Sequence, residues 1–137
     1  MSFMLEIVTP ERAFFSEEVD RVIVRGVEGD LAILKNRAPI ITPLAIGKIR
    51  ILKDGEERVA AAVNGYISVD KDKTTIITDS AEWPHEIDIE RAEAAKERAE
   101  RRLRERSEGL DIDRAELALK RALNRLDVAD LKKFDDK

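Results

Sequence analysis

The chain has 137 residues, 43% apolar and 39% charged, with a formal net charge of −4 and no cysteine. That length allows one domain or two small ones. The acidic balance argues against a general nucleic-acid binder, and disulfide or thiol chemistry is excluded.

No run approaches the ~20 apolar positions needed to cross a bilayer. No basic segment leading into a long apolar run opens the chain, so no secretory signal is expected. The first half is rich in Val, Ile, Thr and Gly, the second in Ala, Glu, Arg, Leu and Lys. This division predicts two modules of different secondary structure.

Phe3 to Val8 alternates as a half-buried strand does and ends at Thr9-Pro10. Glu18 to Arg25 reads as one further strand, followed by the turn Gly26-Val27-Glu28-Gly29-Asp30 and the apolar run Leu31 to Leu34. After Ala38-Pro39 come Ile40 to Leu44, then Gly47 to Leu52 and Arg58 to Val63, the last two flanking the hairpin signal Asp54-Gly55. Asn64-Gly65 reads as a second hairpin signal, with Tyr66 to Val69 and Thr74 to Thr78 paired beyond it. Prolines are expected only at breaks. Many short strands at this spacing predict an antiparallel β-sandwich or a barrel, all-β to about Thr78.

Ala81 to Glu86, with Trp83-Pro84, reads as a connector, and from Asp88 the period changes. Ala92, Ala95, Ala99 and Leu103 follow helical spacing, as do Ala115, Ala118, Leu119, Ala122 and Leu126. The wording Asp88-Ile89-Glu90-Arg91-Ala92-Glu93 returns as Asp111-Ile112-Asp113-Arg114-Ala115-Glu116, with a break at Ser107-Glu108-Gly109. Two helices are predicted, Asp88 to Glu105 and Asp113 to about Phe134, the second capped by Asp113 with Glu116 in a capping box. They form an antiparallel hairpin. The fold class is therefore α+β in two modules, a sandwich over 1–86 and a hairpin over 87–137. A hairpin stitched by alanine buries little apolar area, which makes it a candidate for conformational change.

Catalysis finds no foothold. The lone histidine, His85, sits in the connector, so neither a Ser-His-Asp set nor a metal-ligand spacing exists. Gly26 to Asp30 lacks the Gly-Lys-Ser/Thr of a phosphate loop. The expectation is a protein with no catalytic residue and no metal site.

The arginines say more. Arg91 and Arg98 share a face of the first helix, Arg121 and Arg125 a face of the second. Folded back on each other, the helices bring four guanidinium groups towards one end, and guanidinium pairs with phosphate oxygens in a bidentate fork. Asp88 could hold one of these arginines or accept from a ribose or amine group. Spacing alone favours the plainer alternative of solvated ion-pair partners, since Glu90, Glu93, Glu97, Glu100 and Glu105 are close by. A second basic cluster, Arg98, Arg101, Arg102, Arg104 and Arg106, suits an acidic protein partner, though a solvated face is the plainer alternative here too.

Together these residues resemble the epsilon subunit of bacterial F-type ATP synthase, of the Bacillus-like kind, over essentially the whole chain. Val8-Thr9-Pro10-Glu11, Gly29-Asp30-Leu31-Ala32-Ile33-Leu34, Asn36-Arg37-Ala38-Pro39, Gly47, and Asn64-Gly65-Tyr66 with Val69 look like that family's sandwich. Ile87-Asp88-Ile89-Glu90-Arg91-Ala92 is similar to its Ile/Leu-Asp-x-x-Arg-Ala motif, through which family members bind ATP on the folded hairpin. Arg37 departs from the histidine common there.

The resemblance implies a non-catalytic rotor subunit on the central stalk of a proton-translocating ATP synthase, coupling ion flow to rotation. The sandwich would contact the gamma subunit and the c-ring. The hairpin would either fold up or extend and inhibit ATP hydrolysis, its basic residues facing an acidic loop of the beta subunit. ATP, as a regulatory ligand with or without magnesium, would favour the folded state through Glu82, Ile87, Asp88, Arg91, Ala92, Arg98, Arg121 and Arg125. The setting would be the cytoplasmic side of a bacterial cell membrane, peripheral and without insertion. The rival reading is a structural adaptor that binds no nucleotide and whose hairpin only packs on partner proteins.

Overall fold

The computed structural model describes residues 2–35, 38–106 and 109–131. The chain divides into two compact units, Met1–Glu82 and Trp83–Lys137.

The first unit is a β-sandwich built from ten strands: β1 (Phe3–Val8), β2 (Ala13–Val19), β3 (Arg21–Gly26), β4 (Gly29–Ile33), β5 (Ile40–Leu44), β6 (Gly47–Lys53), β7 (Glu56–Val63), β8 (Gly65–Val69), β9 (Lys73–Ile77) and β10 (Ser80–Glu82). Their order is β10-β7-β6-β3-β5-β8-β9-β1-β2, with β4 paired to β3 off this path. All pairings are antiparallel except β1 with β9, which run parallel from Met4↔Lys73 to Val8↔Ile77. Period-2 alternation sends Leu5, Ile7, Val22, Val24, Ile49, Ile51, Ile67 and Ile76 into the core, each 0–1% exposed. Each such burial contributes about 1.5–3 kcal/mol.

Four expectations for this unit need correction. Glu18 to Arg25 is two strands rather than one. Phe14 and Phe15 make an unforeseen β2, and the chain turns at Asp20, whose N–H donates to Leu52 O (2.8 Å) and whose Oδ2 accepts from Asp54 N (3.0 Å). Asn64-Gly65 does not close a hairpin, because β7 and β8 are not paired. With φ of 52° and 112° the pair turns a corner from one neighbourhood of the sheet to another, and a Cβ on Gly65 would overlap the carbonyl oxygen of Ile77. Pro43 lies inside β5 opposite Tyr66, tolerated because the other side of β5 bonds only at Gly26↔Leu44. Part of the supposed connector is β10, which pairs with β7. Asp54-Gly55 does close the β6–β7 hairpin, both residues at positive φ.

The second unit holds a 3-10 turn (Pro84–Glu86) and two helices, α1 (Ile89–Glu105) and α2 (Ile112–Asp130), packed as an antiparallel hairpin. The expected end at Phe134 and the break residues Ser107 and Glu108 lie outside the described residues, as do Asn36 and Arg37. Ala92, Ala99, Ala115 and Ala122 are buried, while Ala95, Leu103, Ala118, Leu119 and Leu126 are half-buried. Small residues at the seam let the helix axes approach closely.

The expected capping box at Asp113 is not there. Asp111 caps α2 instead, its Oδ1 accepting from the Arg114 backbone N–H at 3.1 Å, and Asp88 does the same for Arg91 on α1 at 3.1 Å. A carboxylate two positions earlier takes the role because it alone has the extended backbone that a cap requires, φ −85° and ψ 99° at Asp111. Asp113, already inside the first turn, complements the helix dipole.

Candidate functional site

Of the eight residues singled out for nucleotide, Glu82 belongs to the first unit, half-buried at the end of β10 opposite Ala61. The other seven belong to the second. The 3-10 turn leads into them: the Trp83 N–H donates to Glu86 Oε1 at 2.9 Å, and the Glu86 N–H donates to Trp83 O at 3.0 Å. Pro84 pre-sets the first helical φ. Trp83 and Ile87 are buried, and the turn also touches α2. The cue was present in Trp83-Pro84-His85-Glu86: a proline opening a helical turn, with a glutamate placed to reach back.

Asp88 is exposed at the start of α1 and has one oxygen engaged in the cap. Its second oxygen remains available, so holding the helix and meeting a ligand are compatible tasks. Ala92 is fully buried, one turn into the helix, where a larger side chain would push α2 away.

The arginines lie at different depths along the two helices. Counted at about 1.5 Å per residue from Ile89 on α1 and from Asp130 on α2, Arg91 lies about 3 Å in, Arg125 about 7.5 Å, and Arg98 and Arg121 about 13.5 Å. Arg91 and Arg98 are exposed; Arg121 and Arg125 are half-buried, with the Nε of Arg125 fully shielded from water.

Among the described residues no carboxylate forms a salt bridge with Arg91, Arg98 or Arg121, so the ion-pair alternative that spacing favoured is not what the structure contains. Cationic side chains without anionic partners, spread over two turns of a helix pair, suit an elongated anion carrying several charges. No cluster of three or more His, Asp or Glu that could hold a metal is present among the described residues.

The second basic cluster is exposed from Arg98 through Arg101, Arg102 and Arg104 to Arg106. Arg106 ends α1 in the left-handed region, φ 42° and ψ 48°, its backbone N–H bonded to Arg102 O at 3.0 Å.

Residues 2–84 match the family model described as "ATP synthase, Delta/Epsilon chain, beta-sandwich domain", and residues 85–130 match "ATP synthase, Delta/Epsilon chain, long alpha-helix domain". The chain belongs to the ATP synthase delta/epsilon-chain family. Members similar to it include the ATP synthase epsilon chain of Alkaliphilus oremlandii (strain OhILAs), 56% identical over 102 residues, which are 74% of this chain and 76% of that one. The ATP synthase epsilon chain of Caldicellulosiruptor bescii is 46% identical over 131 residues, 96% of each chain.

The delta/epsilon fold is also seen in the cryo-EM structure of the Euglena gracilis mitochondrial ATP synthase, "OSCP/F1/c-ring in rotational state 1". The TM-score there is 0.80 at 22% identity, covering 93% of this chain and 81% of that one. The resemblance read from the sandwich and hairpin motifs is thus borne out, and the delta/epsilon chain described here is a subunit of an ATP synthase. None of its helices, among the described residues, is long and apolar enough to cross a membrane.

Proposed function

We propose that this chain is a non-catalytic rotor subunit of the F1 central stalk in a proton-translocating ATP synthase, carrying a nucleotide-sensing hairpin. In this reading the sandwich contacts the gamma subunit and the c-ring and helps couple ion flow to rotation. An antiparallel hairpin of this kind would be the folded state. In the extended state it inhibits ATP hydrolysis, with Arg98, Arg101, Arg102, Arg104 and Arg106 facing an acidic loop of the beta subunit. The site of action is the cytoplasmic face of a bacterial cell membrane, reached through partners.

The observation that carries the sensing role is the set of arginines without carboxylate partners among the described residues, Arg91, Arg98 and Arg121, together with the Asp88 cap. ATP would be held by Glu82, Ile87, Asp88, Arg91, Ala92, Arg98, Arg121 and Arg125. The guanidinium groups would take the phosphates, and buried Ile87 and Ala92 would keep the helix ends closed behind them. ATP shifts the hairpin only by its differential affinity for the folded over the extended state. Binding and inhibition must therefore move together.

Calorimetry on the full chain tests this. Arg91→Ala is expected to weaken ATP binding and, in the reconstituted complex at fixed ATP, to deepen inhibition of hydrolysis. Unchanged ATP affinity would remove the site assignment.

A further inference from the structure

The repeated wording at the two helix starts extends along both helices. A shift of 23 positions places Asp88 on Asp111, Arg91 on Arg114, Ala92 on Ala115, Arg98 on Arg121, Ala99 on Ala122, Arg102 on Arg125 and Leu103 on Leu126. The structure repeats as well. Both aspartates cap at 3.1 Å, the four alanines are buried, and both leucines are half-buried. Two antiparallel helices with equivalent inner faces are related by a two-fold axis perpendicular to the pair, which keeps equivalent residues on one side.

Arg91, Arg98 and Arg102 share a face of α1 at spacings of seven and four, and the axis carries them onto Arg114, Arg121 and Arg125. On the count already used, Arg102 lies about 19.5 Å and Arg114 about 24 Å from the end where α1 begins, mirroring Arg125 and Arg91 about the central level of Arg98 and Arg121. Among the described residues, Arg102 and Arg114 also form no salt bridge with a carboxylate.

We propose that the hairpin offers a polyphosphate two alternative seats that share Arg98 and Arg121, one completed by Arg91 and Arg125, the other by Arg102 and Arg114. The inference rests on the reading that the first set binds the triphosphate of ATP. Because the central pair serves both seats, one polyphosphate is held at a time. The seats differ in their surroundings. The 3-10 turn with buried Trp83 and Ile87 leads directly into α1, at the end of the pair where Arg91 lies, while Arg102 and Arg114 lie towards the other end. The second seat is therefore the weaker, and it recognises the phosphate chain alone.

The test is a double-mutant cycle on the full chain, titrated separately with ATP and with inorganic tripolyphosphate. Arg91 and Arg114 are exposed and alanine is the best helix former, so both variants retain the hairpin. Arg114→Ala is expected to cost at least about fivefold more affinity in the Arg91→Ala background than alone. In Arg91→Ala, tripolyphosphate should bind as well as ATP and move the amide resonance of Ala115 rather than that of Ala92. Additive costs, complete loss of binding in Arg91→Ala alone, or residual binding of ATP without tripolyphosphate overturn the second seat and leave the first. Arg91→Ala binding ATP as tightly as the unsubstituted chain overturns the reading on which both seats rest.

Discussion

Asp88 is assigned two tasks, and their sizes differ enough to be separated. As the N-cap of α1 it accepts from the Arg91 N–H at 3.1 Å, a contact whose loss in Asp88→Ala costs about 1 kcal/mol of helix stability. That is about a fivefold change in an equilibrium constant. A ligand that binds only the folded hairpin feels this loss through the folded fraction. The cap alone can therefore weaken ATP by at most about fivefold, and by less if the hairpin is well populated.

A direct hydrogen bond from the ligand to the free carboxylate oxygen is worth about 1.5–3 kcal/mol, and the exposure of Asp88 selects the lower end, about tenfold. Asp88→Ser keeps a capping oxygen and removes the charge; Asp111→Ala removes an equivalent cap from α2. Calorimetry and amide hydrogen exchange on the four proteins should then diverge. Asp88→Ser is expected to retain protection at Arg91 and lose about tenfold in ATP affinity. Asp111→Ala is expected to lose protection at Arg114 and no more than about fivefold in affinity. Equal ATP affinities in these two variants would refute a ligand contact by Asp88. Unchanged protection at Arg91 in Asp88→Ala would refute the cap.

Gly65→Ala should be among the most damaging single changes in the sandwich. It combines a φ of 112° with overlap on the Ile77 carbonyl, a cost of about 3 kcal/mol or more that calorimetry would read as a fall in Tm of more than about 12 °C. Ala99→Leu should overpack the α1–α2 seam, where Ala99 is 3% exposed, by about 1–3 kcal/mol, seen as earlier loss of helical circular dichroism on heating. The Lys53–Glu17 pair, Nζ to Oε1 at 2.6 Å, lowers the Glu17 carboxyl through that hydrogen bond and raises the Lys53 ammonium through the same contact. Its contribution is present between the two titrations. It is lost as pH falls through the folded Glu17 value and as pH rises through the folded Lys53 value. In Lys53→Gln, NMR titration of Glu17 should return towards the ordinary carboxylate range, with little change in stability because both groups are half exposed.

Strands with clean alternation, Phe3–Val8 and Gly47–Lys53 among them, were readable because their period matches the pleat. The Ala13–Val19 strand was not, since Phe14 and Phe15 are adjacent and Ser16 to Glu18 give no apolar partner on the inner face. The Asn64-Gly65 signal was real turn chemistry put to another use. Positive φ at both residues is compatible with a hairpin or a corner, and only the pairing partners, which are non-local, decide between them.

At the candidate site, the two helices were legible. The cap was misplaced by two residues because Asp111 and Asp113 are chemically alike and differ only in backbone conformation. The absence, among the described residues, of carboxylate partners around Arg91, Arg98 and Arg121 was also out of reach. The nearby glutamates suggested otherwise, and side-chain choice among close neighbours on a helix surface is a tertiary matter.

The parallel seam between β1 and β9 has a consequence for synthesis. Met4 finds its neighbour Lys73 only after nearly seventy further residues have left the ribosome. Contacts so remote in sequence slow folding, because a long loop must close before any of them forms. The opening strand therefore waits on the nascent chain with only its β2 partner at hand, an interval in which a chaperone or trigger-type holdase would find its widest target.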